Sequence, residues 1–233
     1  MICKLSSNAE SRRLKIRGLA LIVIIGLVSA YLMLDEFVLA RYEWRGREVF
    51  PLWLAAYDST LFKDVNLGLA SPGLDSLFSS ITYVGSTAFW LIAAALLWFG
   101  NRRKEAALLA FAIVVGGMIF LPIKLSLMRY RPFQVIGEAR VLDVVSGYSF
   151  PSGHAKNVFT SAVVIGNGRK SLRPLFWILA LAVSFSRIYV GAHWPLDVLA
   201  GGVFGWAVGR LTLKHQIRIC ELVLPPLKAL IGS

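Results

Sequence analysis

Long apolar runs alternate along the chain with short clusters of charge. Two runs, Leu77 to Gly100 and Ala106 to Ile123, contain no charged residue, and each is near the roughly 20 residues that a helix needs to cross a bilayer. A third, Gly18 to Leu34, is shorter but usable. Three later apolar cores are too short alone: Val158 to Ile165, Pro174 to Ser186 and Val198 to Gly209. Each reaches spanning length only if neighbouring polar residues are placed at membrane depth. These are His154 and Lys156 for the first, Arg187 for the second, and Asp197, with His193 just before it, for the third. The pattern predicts an all-α polytopic membrane protein with six transmembrane helices, forming one domain over residues 1–233.

The segment Asp35 to Ser76 is mixed in character. It holds seven of the thirteen acidic residues together with Trp44, Trp53 and the turn-forming Ser71-Pro72-Gly73, and predicts an interfacial, extracytoplasmic loop with a short helical segment. Trp90 and Trp98 read as interfacial anchors or packing residues. Gly201, Gly202, Gly205 and Gly209 put a stripe of small residues on the last span, the pattern of close helix packing. The last stretch, Cys220 to Ile231, is interrupted by Pro225-Pro226; it is too short and broken to span and is expected on the cytoplasmic interface.

Composition strengthens this reading. The 233 residues are 57% hydrophobic and only 16% charged, with mean hydropathy +0.66, a balance unlike that of soluble domains. The formal net charge of +12 requires no nucleic acid, because basic cytoplasmic loops orient any polytopic membrane protein. The N-terminus, the turn at Arg102, the turn at Arg169 and the tail from Arg210 carry fifteen of the twenty-five Lys and Arg. Alternation of six spans puts all four on one side, the expected cytoplasm of a plasma membrane. Cys3 and Cys220 fall there and read as free thiols. Arg12, Arg13, Lys15 and Arg17 before the first run also suit a signal peptide, with Val28 and Ala30 as its small-residue pattern. The run exceeds the usual signal core, so a retained anchor is expected.

Lys124, Arg131, His154, Arg187, His193 and Asp197 then collect at the opposite, extracytoplasmic ends of the last four spans. Ionisable groups at membrane depth are expensive and mark function by default. His, His and Asp could ligate zinc, but no metalloprotease-type spacing occurs and three cations would repel a dication. An oxyanion suits the cluster better. Lys124 and Arg131, seven apart, are expected on one helix face before Pro132 ends it. Ser152 sits where an N-cap belongs, so the N–H groups of Gly153 and His154 would point at a bound anion, and Arg187 adds a planar fork. His193 and Asp197 are spaced i, i+4 at a helix start favoured by Pro195, so the carboxylate can orient the imidazole for attack on phosphorus. His154, on another span, can then protonate the leaving oxygen and activate water. Lys156 reads equally as a headgroup contact or a snorkelling side chain. Arg129 reads as a headgroup or surface charge, and His215 as inert.

Three stretches carry a family resemblance. Lys124-Leu-Ser-Leu-Met-Arg-Tyr-Arg131-Pro132, then Pro151-Ser152-Gly153-His154, then Ser186-Arg187-Ile-Tyr-Val-Gly-Ala-His193-Trp-Pro-Leu-Asp197 resemble, in order, the three-part signature of the type 2 phosphatidic acid phosphatase superfamily. The resemblance implies cofactor-free, metal-independent hydrolysis of a phosphate or diphosphate through a phosphohistidine. His193 would be the nucleophile, Asp197 its partner and His154 the acid, with Lys124, Arg131, Ser152, Gly153 and Arg187 binding the phosphoryl oxygens. Membrane depth implies a lipid phosphate, with a polyprenyl diphosphate such as undecaprenyl diphosphate first in order. Phosphatidylglycerol phosphate, phosphatidic acid and lipid A follow. Phosphotransfer to another lipid and non-catalytic lipid binding are the alternatives, the latter disfavoured by the intact His193 and Asp197.

Overall fold

The computed structural model describes residues 46–143 and 145–231, and among them it is helical, with no strand and one isolated bridge between Arg47 and Arg129. The expected first span, Trp44 and Cys3 lie outside the described residues. Helix α1, Leu52–Asn66, is the short helix expected before the second span. Its polarity is inverted relative to a soluble helix: Asp58 and Asn66 are buried with Phe62, while Leu52, Trp53 and Tyr57 are exposed. Asn66 meets its burial by donating to the carbonyls of Arg140 (2.9 Å) and Tyr189 (2.8 Å).

The run Leu77 to Gly100, expected to cross as one helix, is broken. Helix α2, Pro72–Ile81, passes into a 3-10 turn, Thr82–Gly85, and helix α3, Thr87–Phe99, leaves at 61°. Two serines write this into the sequence. Ser71 accepts from the Leu74 N–H (3.4 Å) to cap α2, and Ser86 accepts from the Phe89 N–H (3.1 Å) to cap α3. A cap in the middle of an apolar run starts a second helix there, a signal that hydropathy alone does not register.

Helix α4, Arg103–Leu127, is a 25-residue rod that stops at Met128, whose φ of 50° is left-handed. Arg131 therefore lies beyond the helix and does not share a helical face with Lys124, contrary to expectation. A four-residue helix α5, Pro132–Val135, follows. Helices α6 (Gly153–Gly168), α7 (Arg173–Tyr189) and α8 (Pro195–Lys214) are the three late apolar cores; they take in His154 and Lys156, Arg187, and Asp197 respectively, while His193 stays in the turn before α8. Helix α9, Gln216–Ile231, is continuous through the two prolines expected to break it. Among the described residues, α4 and α8 are long and apolar enough to cross a membrane, and the bent α2–α3 pair is a third.

Helix α6 is the central element, packed against α8, α7 and α4. Leu109 and Ile113 of α4, Val158 and Ala162 of α6, and Ala180 and Val183 of α7 form the apolar core between them, all essentially inaccessible. Trp90 packs into this core, and Trp98 lies under the Arg103 guanidinium. The glycine stripe of α8 allows backbone-to-backbone approach. A Cβ at Gly201 would lie 2.3 Å from the Ser152 carbonyl oxygen, and one at Gly205 would lie 2.2 Å from that of Lys156. Thr160 returns a hydrogen bond to the Gly205 carbonyl at 3.0 Å. Gly205→Val must part the two helices, so it is expected to lower the thermal unfolding midpoint by several degrees, in line with about 1–3 kcal/mol for overpacking. Gly73→Ala, where nothing lies within 4 Å, is the control expected to change little.

Candidate active site

Helix α8 opens at Pro195, where a missing N–H is no loss. Asp197, at the third position, accepts the Trp194 N–H at 2.9 Å and so closes the helix start. The same oxygen, Oδ2, lies 3.4 Å from His193 Nδ1 and accepts from the Ser149 hydroxyl. The other oxygen, Oδ1, accepts from Arg129 at 2.7 Å. Arg129 also donates to Asp58 Oδ2 on α1 at 2.7 Å, and Asp58 Oδ1 accepts the Leu196 N–H at 2.9 Å. Arg129 and Asp58 are each 1% exposed and Asp197 is 0%. Phe50 and Trp194 flank the guanidinium, with ring centroids at 4.7 and 5.1 Å. Arg129 is thus a buried bridge and not the surface charge expected from its position in the sequence.

His193 sits in the turn between α7 and α8 and is 2% exposed. Burial, reinforced by the charges of Arg131, Arg187 and Lys124, pulls its pKa well below the ordinary 6.5. Its Nδ1 faces Asp197 Oδ2, and a neutral imidazole protonated there would leave the Nε2 lone pair for chemistry.

The start of α6 is held against this turn. The Ser152 N–H donates to the Asp197 carbonyl at 2.9 Å, and the Ser152 hydroxyl accepts from the Ala155 N–H at 3.5 Å. Gly153 and His154 occupy the first two helical positions, whose N–H groups have no acceptor within the helix. His154 is half-buried, and its ring rests on Gly85 of the α2–α3 break: a Cβ there would lie 2.5 Å from the ring Cδ2. The Gly85 carbonyl is fixed in turn by the Asn157 side-chain amide at 2.9 Å. Arg187, His193, Lys124 and Arg131 all lie near enough to His154 to bear on it electrostatically.

The cations reach it by different routes. Lys124 stands half-buried on the last turn of α4. Arg131 is buried and donates to the carbonyls of Gly147 (2.6 Å), Ser146 (2.6 Å) and Ala192 (2.7 Å), which ties the loop before α6 to the His193 turn. Arg187 donates to Thr82 Oγ1 (2.5 Å) and Asp143 Oδ2 (2.6 Å). Lys156 is buried rather than snorkelling, with its ammonium 3.4 Å from the Ile113 carbonyl and over the Phe120 ring. Sequence reading did not find Asp58, Arg129, Thr82, Gly85, Asp143 or Ser149. The available signals were the buried-face spacing of Asp58, Phe62 and Asn66 on α1 and the capping Ser86 beside Gly85.

With Asp197 engaged by Arg129, Ser149 and the Trp194 N–H, the net character around His154 is cationic. Such a site can hold an oxyanion and compensate charge developing on it. One imidazole is backed by a carboxylate, and the second sits on the accessible side.

The PAP2 superfamily model matches residues 105–218. The chain is 32% identical over 166 residues to an undecaprenyl-diphosphatase of Sulfolobus acidocaldarius, covering 69% of this chain and 79% of that protein. Among solved structures, Aquifex aeolicus LpxE aligns with TM-score 0.63 and 29% identity, over 66% of this chain and 93% of that one. A PAP2 type phosphatidylglycerolphosphate phosphatase from Bacillus subtilis aligns with TM-score 0.65 at 23% identity, over 82% of this chain and 96% of that one, a likeness of fold.

Removing the centre of a buried charge bridge leaves two carboxylates uncompensated. Arg129→Ala is expected to destabilise the fold by about 3–5 kcal/mol, read by thermal unfolding in detergent. Lys63→Ala, which breaks an exposed pair with Glu138, is expected to leave the midpoint within experimental error. Equal effects of the two would contradict the buried bridge.

Proposed function

The chain belongs to the PAP2 superfamily, and from that premise we propose a membrane lipid phosphatase that works through a phosphohistidine at His193, independently of metal. The observation that carries the reading is the line Arg129–Asp197–His193 beside the cations that also bear on His154. Lys124, Arg131, Arg187 and the N–H groups of Gly153 and His154 hold the phosphoryl oxygens, and Ser152 fixes the turn that presents those N–H groups. His193 Nε2 attacks phosphorus, the bond to the leaving oxygen breaks, and His154 supplies the proton that oxygen takes up. Asp197 stabilises the positive charge on the phosphorylated imidazole. His154, now neutral, takes a proton from water as that water attacks phosphorus, which releases inorganic phosphate and restores His193.

A polyprenyl diphosphate is the favoured substrate, supported by the undecaprenyl-diphosphatase name of the Sulfolobus relative. Phosphatidylglycerol phosphate, phosphatidic acid and the lipid A phosphates are the other candidates. The site faces the outer side of a plasma membrane, a placement supported by the basic turns at the opposite ends of the spans.

Phosphate release by detergent-purified protein from a panel of these lipids tests the proposal. Turnover is expected to survive chelator and to fall at least a thousandfold in His193→Ala, as expected when the nucleophile is lost. Loss of activity on chelation would replace the phosphohistidine reading with metal chemistry. The lowered His193 pKa also fixes the sign of the acid limb. The imidazole is expected to stay neutral as pH falls through 6.5, so kcat/KM should not fall there through loss of the nucleophile, and a decline centred at 6.5 in the pH–rate profile would contradict this.

A further inference from the structure

A groove of about 360 Å³ runs between α7 and α8, floored by Phe159 of α6 and by Gly202. Ser184 and Pro195 form one end and Trp177 and Trp206 line the other. The first end adjoins the candidate active site, because Pro195 is two residues beyond His193 and Ser184 is one helical turn before Arg187. Its outer lips, Leu181, Leu199 and Val203, are exposed on the outward faces of α7 and α8.

Two features indicate what the groove takes. From Pro195 to Trp206 the helix rises about 16 Å, roughly half of the ~30 Å hydrocarbon core of a bilayer, which is the depth of one leaflet. The lining is apolar except for Ser184, which is 5% exposed and whose hydroxyl has no hydrogen-bond partner. A buried hydroxyl without a partner is unfavourable unless an incoming group supplies one. Its place at the end nearest His193 fits an amphiphile whose polar linkage passes there and whose chain continues downward.

We infer that this groove holds the hydrocarbon chain of the lipid whose phosphate is processed at His193, an assignment that rests on the lipid phosphatase reading. The phosphate stays with the cations, the first linkage oxygen accepts from Ser184, and the chain lies on Gly202 between α7 and α8. Gly202 matters because it keeps the floor low: a Cβ there would already lie 3.1 Å from the Phe159 ring. Trp177 and Trp206 close the deep end and set the length of chain that receives full contact.

The test is kcat/KM across a chain-length series of prenyl diphosphates in detergent, for wild type, Leu199→Trp and Trp206→Ala. Both variants change exposed side chains, so folding is not at issue, and thermal unfolding midpoints verify it. Wild type is expected to improve with chain length and then level off. Leu199→Trp, which lays an indole across the groove, is expected to lower the long-chain to short-chain ratio at least tenfold. Trp206→Ala opens the deep end and is expected to move the plateau to longer chains. If both variants keep the wild-type chain-length profile, the groove assignment is wrong while the lipid phosphatase reading stands. If wild type releases phosphate from no lipid in the series or in the wider panel, both fall together.

Discussion

The structure turns on one buried arginine. Arg129 lies between two carboxylates, Asp58 of α1 and Asp197 of α8, at 2.7 Å from each, with all three groups out of solvent. Charges so placed are tolerable only when the pairing is complete, because desolvation exceeds what an incomplete pair returns. Completing it fixes the chain in several places at once. Asp197 also closes the start of α8, receives Ser149 from the loop before α6, and faces His193, while its backbone carbonyl accepts from Ser152. Three segments distant in sequence, around Arg129, Ser149 and His193, meet at this one residue, and Arg129 ties α1 to it through Asp58. The position of the His193 imidazole follows from that meeting and not from any single helix.

Around this anchor the protein is built with polar groups inside and apolar groups outside. Buried positions include Asn157, Thr160, Ser161, Arg187 and His193, while Ile92, Leu96, Ile119, Leu199 and Val203 face outward. In water the outer surface would be a large apolar patch, but against lipid tails it is the ordinary solvent-facing surface. Helix association then depends on close approach and on interhelical hydrogen bonds, which is where the glycines of α8 and the Thr160–Gly205 bond act. The same inversion explains α1, whose polar face turns inward to meet Arg129 and Arg140.

Much of the candidate site was legible in the sequence because its motifs are local. The i, i+4 spacing of His193 and Asp197, the serine cap before His154 and the polar ends of the short apolar cores each express a rule that acts within one or two helical turns. What was not legible depends on long-range contact or on direction. Arg129 reads as a surface charge until Asp58, 71 residues earlier, is known to lie beside it. The break after Ile81 is invisible to hydropathy, since both halves are apolar, yet it places Thr82 on Arg187 and Gly85 under His154. Lys124 and Arg131 were expected on a common helix face, but Met128 turns the chain first. The two cations still reach the same locus, by a loop tied down through three carbonyls instead of by helical register.

The proposed reaction passes through a phosphoryl group on His193, and that species is its most direct signature. Rapid alkaline quench of the wild-type protein during turnover of a lipid phosphate, followed by peptide mass spectrometry, reads that species at residue level. The account predicts a phosphoryl group on the peptide containing His193, appearing within the first turnover and absent in His193→Ala. Full turnover with no phosphorylated peptide at any time, or with the group on another residue, would contradict it.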